Sequence, residues 1–225
     1  MKRTILLFII FACSRQLTAQ EKEKEEIHRF APGISMGTVP VPGNPNSIQP
    51  SLEIFITKRI SVLNEIGLQL EKDSDYDSTA RNKRYFKYKA EARFYLGPLD
   101  VRGTPYVGLQ FTTARRSFDI DRAGRFYEKG VEDSMYTYTK ASVNSPVKTL
   151  SVQLGANIRC YDRFYIDVSG GVGYRFINTS YPRTENLAKV PQYEFLNIKP
   201  LSSYKYLGHI TRTQLNFNVR LSYRL

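Results

Sequence analysis

The side chains able to do covalent chemistry are few in this sequence. Its two histidines are His28 and His209. Nucleophilic hydrolysis needs a serine within hydrogen-bond reach of a base, and a carboxylate that orients the base. His209 shares a polar stretch with Ser202, Ser203, Glu185 and Glu194, the raw material of such a triad. The same composition is that of an ordinary solvated loop, and His28 falls at the other end of the chain. Zinc chemistry needs clustered ligands, and no His/Cys cluster is present. The stretch SGGVGY (169–174) has the glycines of a phosphate-binding loop but neither its lysine nor a following helix. The expectation is therefore no catalytic residue, no metal and no cofactor, with those glycines relieving crowding between neighbouring side chains.

A second set of polar groups is larger and regularly spaced. Glu53, Glu65, Glu71, Glu91 and Asp167 stand against Lys87, Lys89, Arg93, Arg159, Arg175, Arg220 and Arg224. They sit on the polar face of segments whose other face is apolar, and alternation with period two is that of a β-strand. The clearest segment is TRTQLNFNVRLSYRL (211–225). Thr211, Thr213, Leu215, Phe217, Val219, Leu221, Tyr223 and Leu225 alternate there with Arg212, Gln214, Asn216, Asn218, Arg220, Ser222 and Arg224. Segments 30–38, 52–56, 60–70, 86–96, 107–111, 150–158 and 164–176 carry the same pattern. No helix-period segment competes with them.

The breaks between these eight strands follow a parity rule. Those after Val39, Lys72, Phe118 and Asn178 are long or variable, and those near Lys58, Pro98 and Asp162 are short. Strands running up and down therefore place every long connection at one end. An open, half-apolar edge invites aggregation, and closing the sheet on itself removes it. The expected fold is all-β, an eight-stranded antiparallel up-and-down barrel.

The 225 residues suffice for one such domain, with 41% hydrophobic content and a formal net charge of +12. Residues 1–20, MKRTILLFIIFACSRQLTAQ, read as a secretory signal peptide: a basic start, a short apolar run, and small residues before a cut after Ala19 or Gln20. Residues 21–27 form a charged lead-in, and residues 28–225 the barrel domain. No segment reaches the ~20 apolar residues of a membrane-spanning helix. Cys13 falls in the signal, which leaves Cys160 alone and no intrachain disulfide. The run Ile10-Phe11-Ala12-Cys13 is also a loose lipobox, whose use would make Cys13 a lipid-bearing first residue. Export argues against nucleic acid as the target of the basic charge, and no basic run interleaves with aromatics.

Alternation leaves open which face is outside. A lipocalin-like carrier turns its apolar face inward around a ligand. A membrane barrel turns it outward, and with eight strands its interior is filled by side chains. The mid-strand charges of both signs favour the second arrangement, since inside a ring they can pair as a plug. Aromatics also collect near strand ends, with Phe94, Phe164 and Tyr223 at one level and Phe86, Tyr174 and Phe176 at the other. Membrane barrels carry two such girdles.

On these residues the mature chain resembles a small Bacteroidetes-type outer-membrane β-barrel protein of the OmpA/OmpX-like, eight-stranded class. Its end, NVRLSYRL, is similar to the barrel-assembly signal at Asn218, Tyr223 and Leu225. It departs at Arg220, where glycine is usual, and at Leu225, where phenylalanine is commoner. The resemblance implies a place in the bacterial outer membrane, surrounded by lipids and lipopolysaccharide, and delivery by the barrel-assembly machinery.

Three functions fit this architecture. The first is a non-catalytic structural or surface role, with the long loops and their tyrosines (Tyr127, Tyr136, Tyr138, Tyr181, Tyr193, Tyr204, Tyr206) meeting an extracellular protein or glycan. The second is a pore for small solutes or anions, lined by the inward basic groups. The third is the secreted carrier.

Overall fold

The computed structural model describes residues 30–37, 47–69, 80–99, 103–128, 134–190 and 205–225. The strands are β1 (Phe30–Gly37), β2 (Ser47–Phe55), β3 (Ile60–Gln69), β4 (Ala80–Tyr95), β5 (Gly103–Ile120), β6 (Gly124–Glu128), β7 (Ser134–Tyr138), β8 (Lys140–Asn144), β9 (Val147–Tyr161), β10 (Phe164–Glu185), β11 (Ala188–Val190) and β12 (Tyr206–Tyr223). Eight of them, in the order β12-β1-β2-β3-β4-β5-β9-β10, close a ring when β10 pairs with β12. Every pair in that ring is antiparallel.

The register fixes the shape of the ring. A row of paired residues starting at Gly33 on β1 runs through Ser51, Glu65, Lys89, Thr112, Thr149 and Arg175 to Arg212 on β12. Gly33 also pairs directly with Ser222, so one circuit slips the register by 222 − 212 = 10 residues. For eight strands such a stagger corresponds to a strand tilt of about 40°. Tight turns hold the short-turn end. Thr57 Oγ1 accepts the Arg59 and Ile60 amides at 3.2 and 3.0 Å. Asp162 takes a φ of 29° between β9 and β10, a left-handed conformation that aspartate tolerates better than most residues.

Polarity is inverted relative to a water-soluble barrel. Outward side chains such as Ile34, Ile66, Leu109, Leu154, Val172, Leu215 and Leu221 are large, apolar and exposed, whereas Glu53, Glu65, Glu91, Arg93, Asp167 and Arg220 are buried inside. Phe164 and Tyr223 pack edge to face near the short-turn end, with ring centroids 5.0 Å apart. Phe86, Tyr174 and Phe176 lie toward the other end. The twelve-residue rise from Phe164 to Phe176 along tilted β10 is about 30 Å. That matches the hydrocarbon thickness of a bilayer, ~30 Å. The molecule is a membrane-spanning barrel with a polar interior.

One pair on β3 departs from the apolar-out, polar-in pattern, and two local expectations change. On β3, Leu63 points inward and is fully buried, while Asn64 points outward. The outward amide is satisfied by Tyr88 on β4, whose hydroxyl donates to Asn64 Oδ1 at 2.7 Å. Strand β4 starts at Ala80, inside the segment read as a loop before Phe86. Most of the polar stretches 119–148 and 179–210 that are described also fold as strand. The end of β5, all of β6 to β8, the far part of β10, β11 and the start of β12 form a rim sheet at the long-connection end. These segments project past the apolar band, so the inside–outside alternation stops while β-favouring Tyr, Thr and Val persist. The signal segment and the charged lead-in, with Cys13, lie outside the described residues.

Candidate functional site

Inward side chains from six ring strands meet in one buried cluster. Arg93 on β4 stands at its centre. Its Nε donates to Glu91 Oε1 at 2.9 Å, and its Nη1 donates to Asp167 Oδ2 on β10 at 2.7 Å. Glu53 on β2 lies 3.7 Å from the same Nη1. Arg220 on β12 bridges from the far wall, hydrogen-bonded to Glu53 and 4.0 Å from Asp167. Neutral donors add to two of the carboxylates. Ser61 Oγ on β3 and Tyr95 OH each donate to Glu53 at 2.6 Å, and Tyr106 OH on β5 donates to Asp167 at 3.0 Å. The Arg93 guanidinium also rests 4.3 Å from the Tyr106 ring centroid.

Two guanidinium groups thus face three carboxylates in a space sealed from solvent. Desolvating such charges is costly and is offset only where pairing is close and the remaining lone pairs are filled. The donors from Ser61, Tyr95 and Tyr106 supply that filling for Glu53 and Asp167, while Glu91 Oε2 and Arg220 Nε and Nη1 are left without a hydrogen-bond partner. Above the cluster, Lys89 Nζ sits 2.5 Å from Glu65 Oε2. Below it, Arg224 stacks on Tyr165 at 3.7 Å and hydrogen-bonds Asn157 Oδ1 and Leu99 O, each at 3.0 Å. Phe55, Tyr95 and Tyr106 pack beside it, all buried. The short-turn half of the lumen is filled.

Glycines make room for this packing. A Cβ on Gly155 would lie 2.6 Å from Tyr106 OH, and one on Gly108 would lie 2.7 Å from Glu91 Oε1. In the SGGVGY stretch, Gly171 and Gly173 face inward against Gln153 and Ser151, with no space for a side chain.

The twelve charged residues singled out in the sequence divide by position. Glu53, Glu65, Lys89, Glu91, Arg93, Asp167, Arg220 and Arg224 are buried in the lumen. Lys87 and Arg175 face the lumen higher up and are half-buried. Arg159 does not belong to the interior. It pairs with inward-facing Tyr165 but stands exposed at the end of β9, where its Nε donates to Asp162 O at 2.7 Å. Glu71 lies outside the described residues. Tyr95, Tyr106 and Ser61 carry no charge and so escape a search for charged groups, although all three fall on the same inward parity. At the terminus, Asn218 faces inward, Tyr223 outward, and the Leu225 amide hydrogen-bonds Phe30 O at 2.9 Å.

The candidate hydrolytic group is not assembled among the described residues. His209 lies within β12 opposite Asn178, and Glu185 lies seven residues further along β10, about 20 Å away by strand rise. Glu185 instead pairs with Lys140 at 3.5 Å. His28, Ser202, Ser203 and Glu194 lie outside the described residues. No group of three or more metal-ligating side chains occurs among the described residues.

The rim sheet has its own core of Ile120, Phe126, Tyr138, Ala141 and Val143. Phe126 stacks on Tyr181 at 4.1 Å and on Tyr136 at 5.2 Å between centroids, and Tyr127 meets Tyr206 at 6.0 Å. These tyrosines belong to strands, not to open loops. Tyr193 and Tyr204 lie outside the described residues.

Neither a protein-family model nor a curated protein sequence matches the chain. Among solved structures it is similar to Neisserial surface protein A, at 12% identity and a TM-score of 0.35, over 88% of this chain and 95% of that one. It is also similar to a major outer membrane protein from Thermus thermophilus, at 10% identity and a TM-score of 0.40, over 88% of this chain and 99% of that one. At such distances the assignment of an eight-stranded ring rests on this chain's own strand pairing.

Proposed function

We propose that this is an integral protein of the bacterial outer membrane, of the OmpA/OmpX-like class, that uses a plugged barrel as an anchor for a surface-exposed rim sheet. The reading makes it non-catalytic, bedded in lipid and lipopolysaccharide, and delivered by the barrel-assembly machinery through its terminal strand. The rim sheet would then face the outside of the cell and make contacts with an extracellular protein or glycan.

The observation that carries the reading is the contrast between the two ends. The lumen is closed by Arg93, Arg220, Tyr95 and Tyr106, each no more than 1% exposed, which opposes passage of solute. The other end extends past the apolar band as an ordered sheet with an aromatic core. Around that core Tyr127, Tyr136, Tyr181 and Tyr206 stay partly exposed, and rigid aromatic side chains on a scaffold suit recognition because little side-chain entropy is lost on contact. The anion-pore alternative requires a gap through the plug, so planar bilayers should stay silent.

The test compares cells displaying the full chain with cells in which 124–138 is replaced by a short turn. Adhesion to immobilised glycans and matrix proteins should fall in the shortened form while the barrel still assembles. Equal adhesion by both forms would overturn the surface role, and discrete conductance steps from the pure protein would favour the pore.

A further inference from the structure

The upper lumen, above the plug, has a charge balance unlike the cluster below it. Arg175 on β10 pairs in register with Arg212 on β12, both on inward parity, so two like charges stand on adjacent strands. Such pairs cost stability in a sheet; Arg212 turns its guanidinium over the Tyr206 ring, 5.5 Å from the centroid. Lys87 lies six residues above Arg93 on β4 and Arg175 eight above Asp167 on β10, so the tie between Arg93 and Asp167 sets the two cations facing each other across the lumen. Lys87 Nζ donates to Gln49 Oε1 at 3.2 Å and is attracted by Glu65. Arg116 on β5 adds a further cation; it reaches Ser145 Oγ at 3.1 Å. Among the described residues neither Lys87 nor Arg175 forms a salt bridge. Arg175 Nε is buried with no hydrogen-bond partner, although a buried donor left unpaired is costly.

Lys87 and Arg175 thus face one half-buried space, with a donor of Arg175 to spare. We propose that the upper lumen is a blind vestibule that binds a small phosphate-class oxyanion between Lys87 and Arg175. A dianion matches the chemistry: a guanidinium offers a planar fork of donors to two oxygens, and an ammonium adds a compact charge. The filled lumen below means the anion is held and not passed on. The site lies within the strand wall, so its ligand is a free ion and not the phosphate of a lipid outside the barrel. This rests on the lumen's own geometry and stands whether or not the rim sheet contacts a partner.

The test uses the full-length barrel refolded in detergent, with inorganic phosphate as the probe. Titration calorimetry and thermal unfolding are run at constant ionic strength against chloride. Phosphate should bind and raise the unfolding midpoint more than chloride does. Arg175→Gln should weaken phosphate binding about tenfold or more. Without phosphate that variant should be no less stable than the parent, because the repulsion with Arg212 is relieved. Equal effects of phosphate and chloride on the parent protein would overturn the site, and that comparison needs no variant to fold. Undiminished phosphate binding by Arg175→Gln would overturn it as well. Binding of a phosphate-bearing lipid but not of free phosphate would overturn the lumenal location.

Discussion

Arg93 and Asp167, 74 positions apart in the sequence, meet across the lumen with Nη1 2.7 Å from Oδ2. Strands β4 and β10 are not neighbours in the ring, so this ion pair ties opposite walls together. Arg220 and Glu53 make a second tie from β12 to β2. The barrel is therefore held from within as well as by its strand ladder.

Removing one member should expose that dependence. Arg93→Ala leaves Glu53, Glu91 and Asp167 buried together without their central cation. Loss of one partner from a buried pair costs about 3–5 kcal/mol. The midpoint of urea unfolding in detergent should fall accordingly. Arg93→Met combined with Asp167→Leu should cost less than the sum of the two single changes, because the charges leave together.

The packing of Tyr106 gives a second prediction. Gly155→Ala would bring a methyl to 2.6 Å from Tyr106 OH, pushing the ring against Arg93. Overpacking of this kind costs about 1–3 kcal/mol. Equilibrium unfolding of that variant should show a loss in this range. Alanine at Gly103, where nothing lies within 4 Å, should be nearly neutral and serves as the control.

Polarity of the outer wall can be probed at Leu154, which is 65% exposed in the middle of β9. If lipid covers it, Leu154→Arg should destabilise the barrel in vesicles by about 2–4 kcal/mol. A soluble carrier with the same wall facing water would tolerate the change, and urea titration of vesicle-inserted protein distinguishes the two.

Much of this was legible in the sequence. Strict alternation in 211–225 and its seven counterparts gave strand number, parity and inward charges, because each strand has one face in lipid and one in a polar lumen. Arg159 misled because it keeps the inward parity of its partner Tyr165 yet lies at the open end of the strand, where Asp162 in the turn binds it. The rim sheet was hidden because strands leaving the bilayer no longer need alternate, and its tyrosines then look like loop residues. The pairing of Arg93 with Asp167 depends on the stagger of the whole ring, which no single segment encodes.

The base of the rim sheet should loosen in acid. Asp119 accepts Asn82 Nδ2 at 2.8 Å and Ser142 Oγ at 2.7 Å, clasping the β4 bulge at Asn82 to β5 and β8. These hydrogen bonds hold its carboxyl below the ordinary aspartate value of 3.8. A depressed folded-state pKa contributes stability that is present above the unfolded value and lost as pH falls through the folded one. Amide exchange at the β5–β8 junction should thus be constant from neutral pH to about 4 and accelerate below it, after correction for intrinsic rates. Asp119→Asn should remove that acid step.

The most direct measurement of the central claim is gel mobility of the outer-membrane fraction in mild SDS, unboiled against boiled. A closed ring satisfies its backbone hydrogen bonds internally and resists SDS until heated. The account predicts a membrane-bound band whose mobility changes on boiling. An unshifted band recovered from the soluble fraction would contradict it and would mean that the apolar wall is covered by something other than lipid.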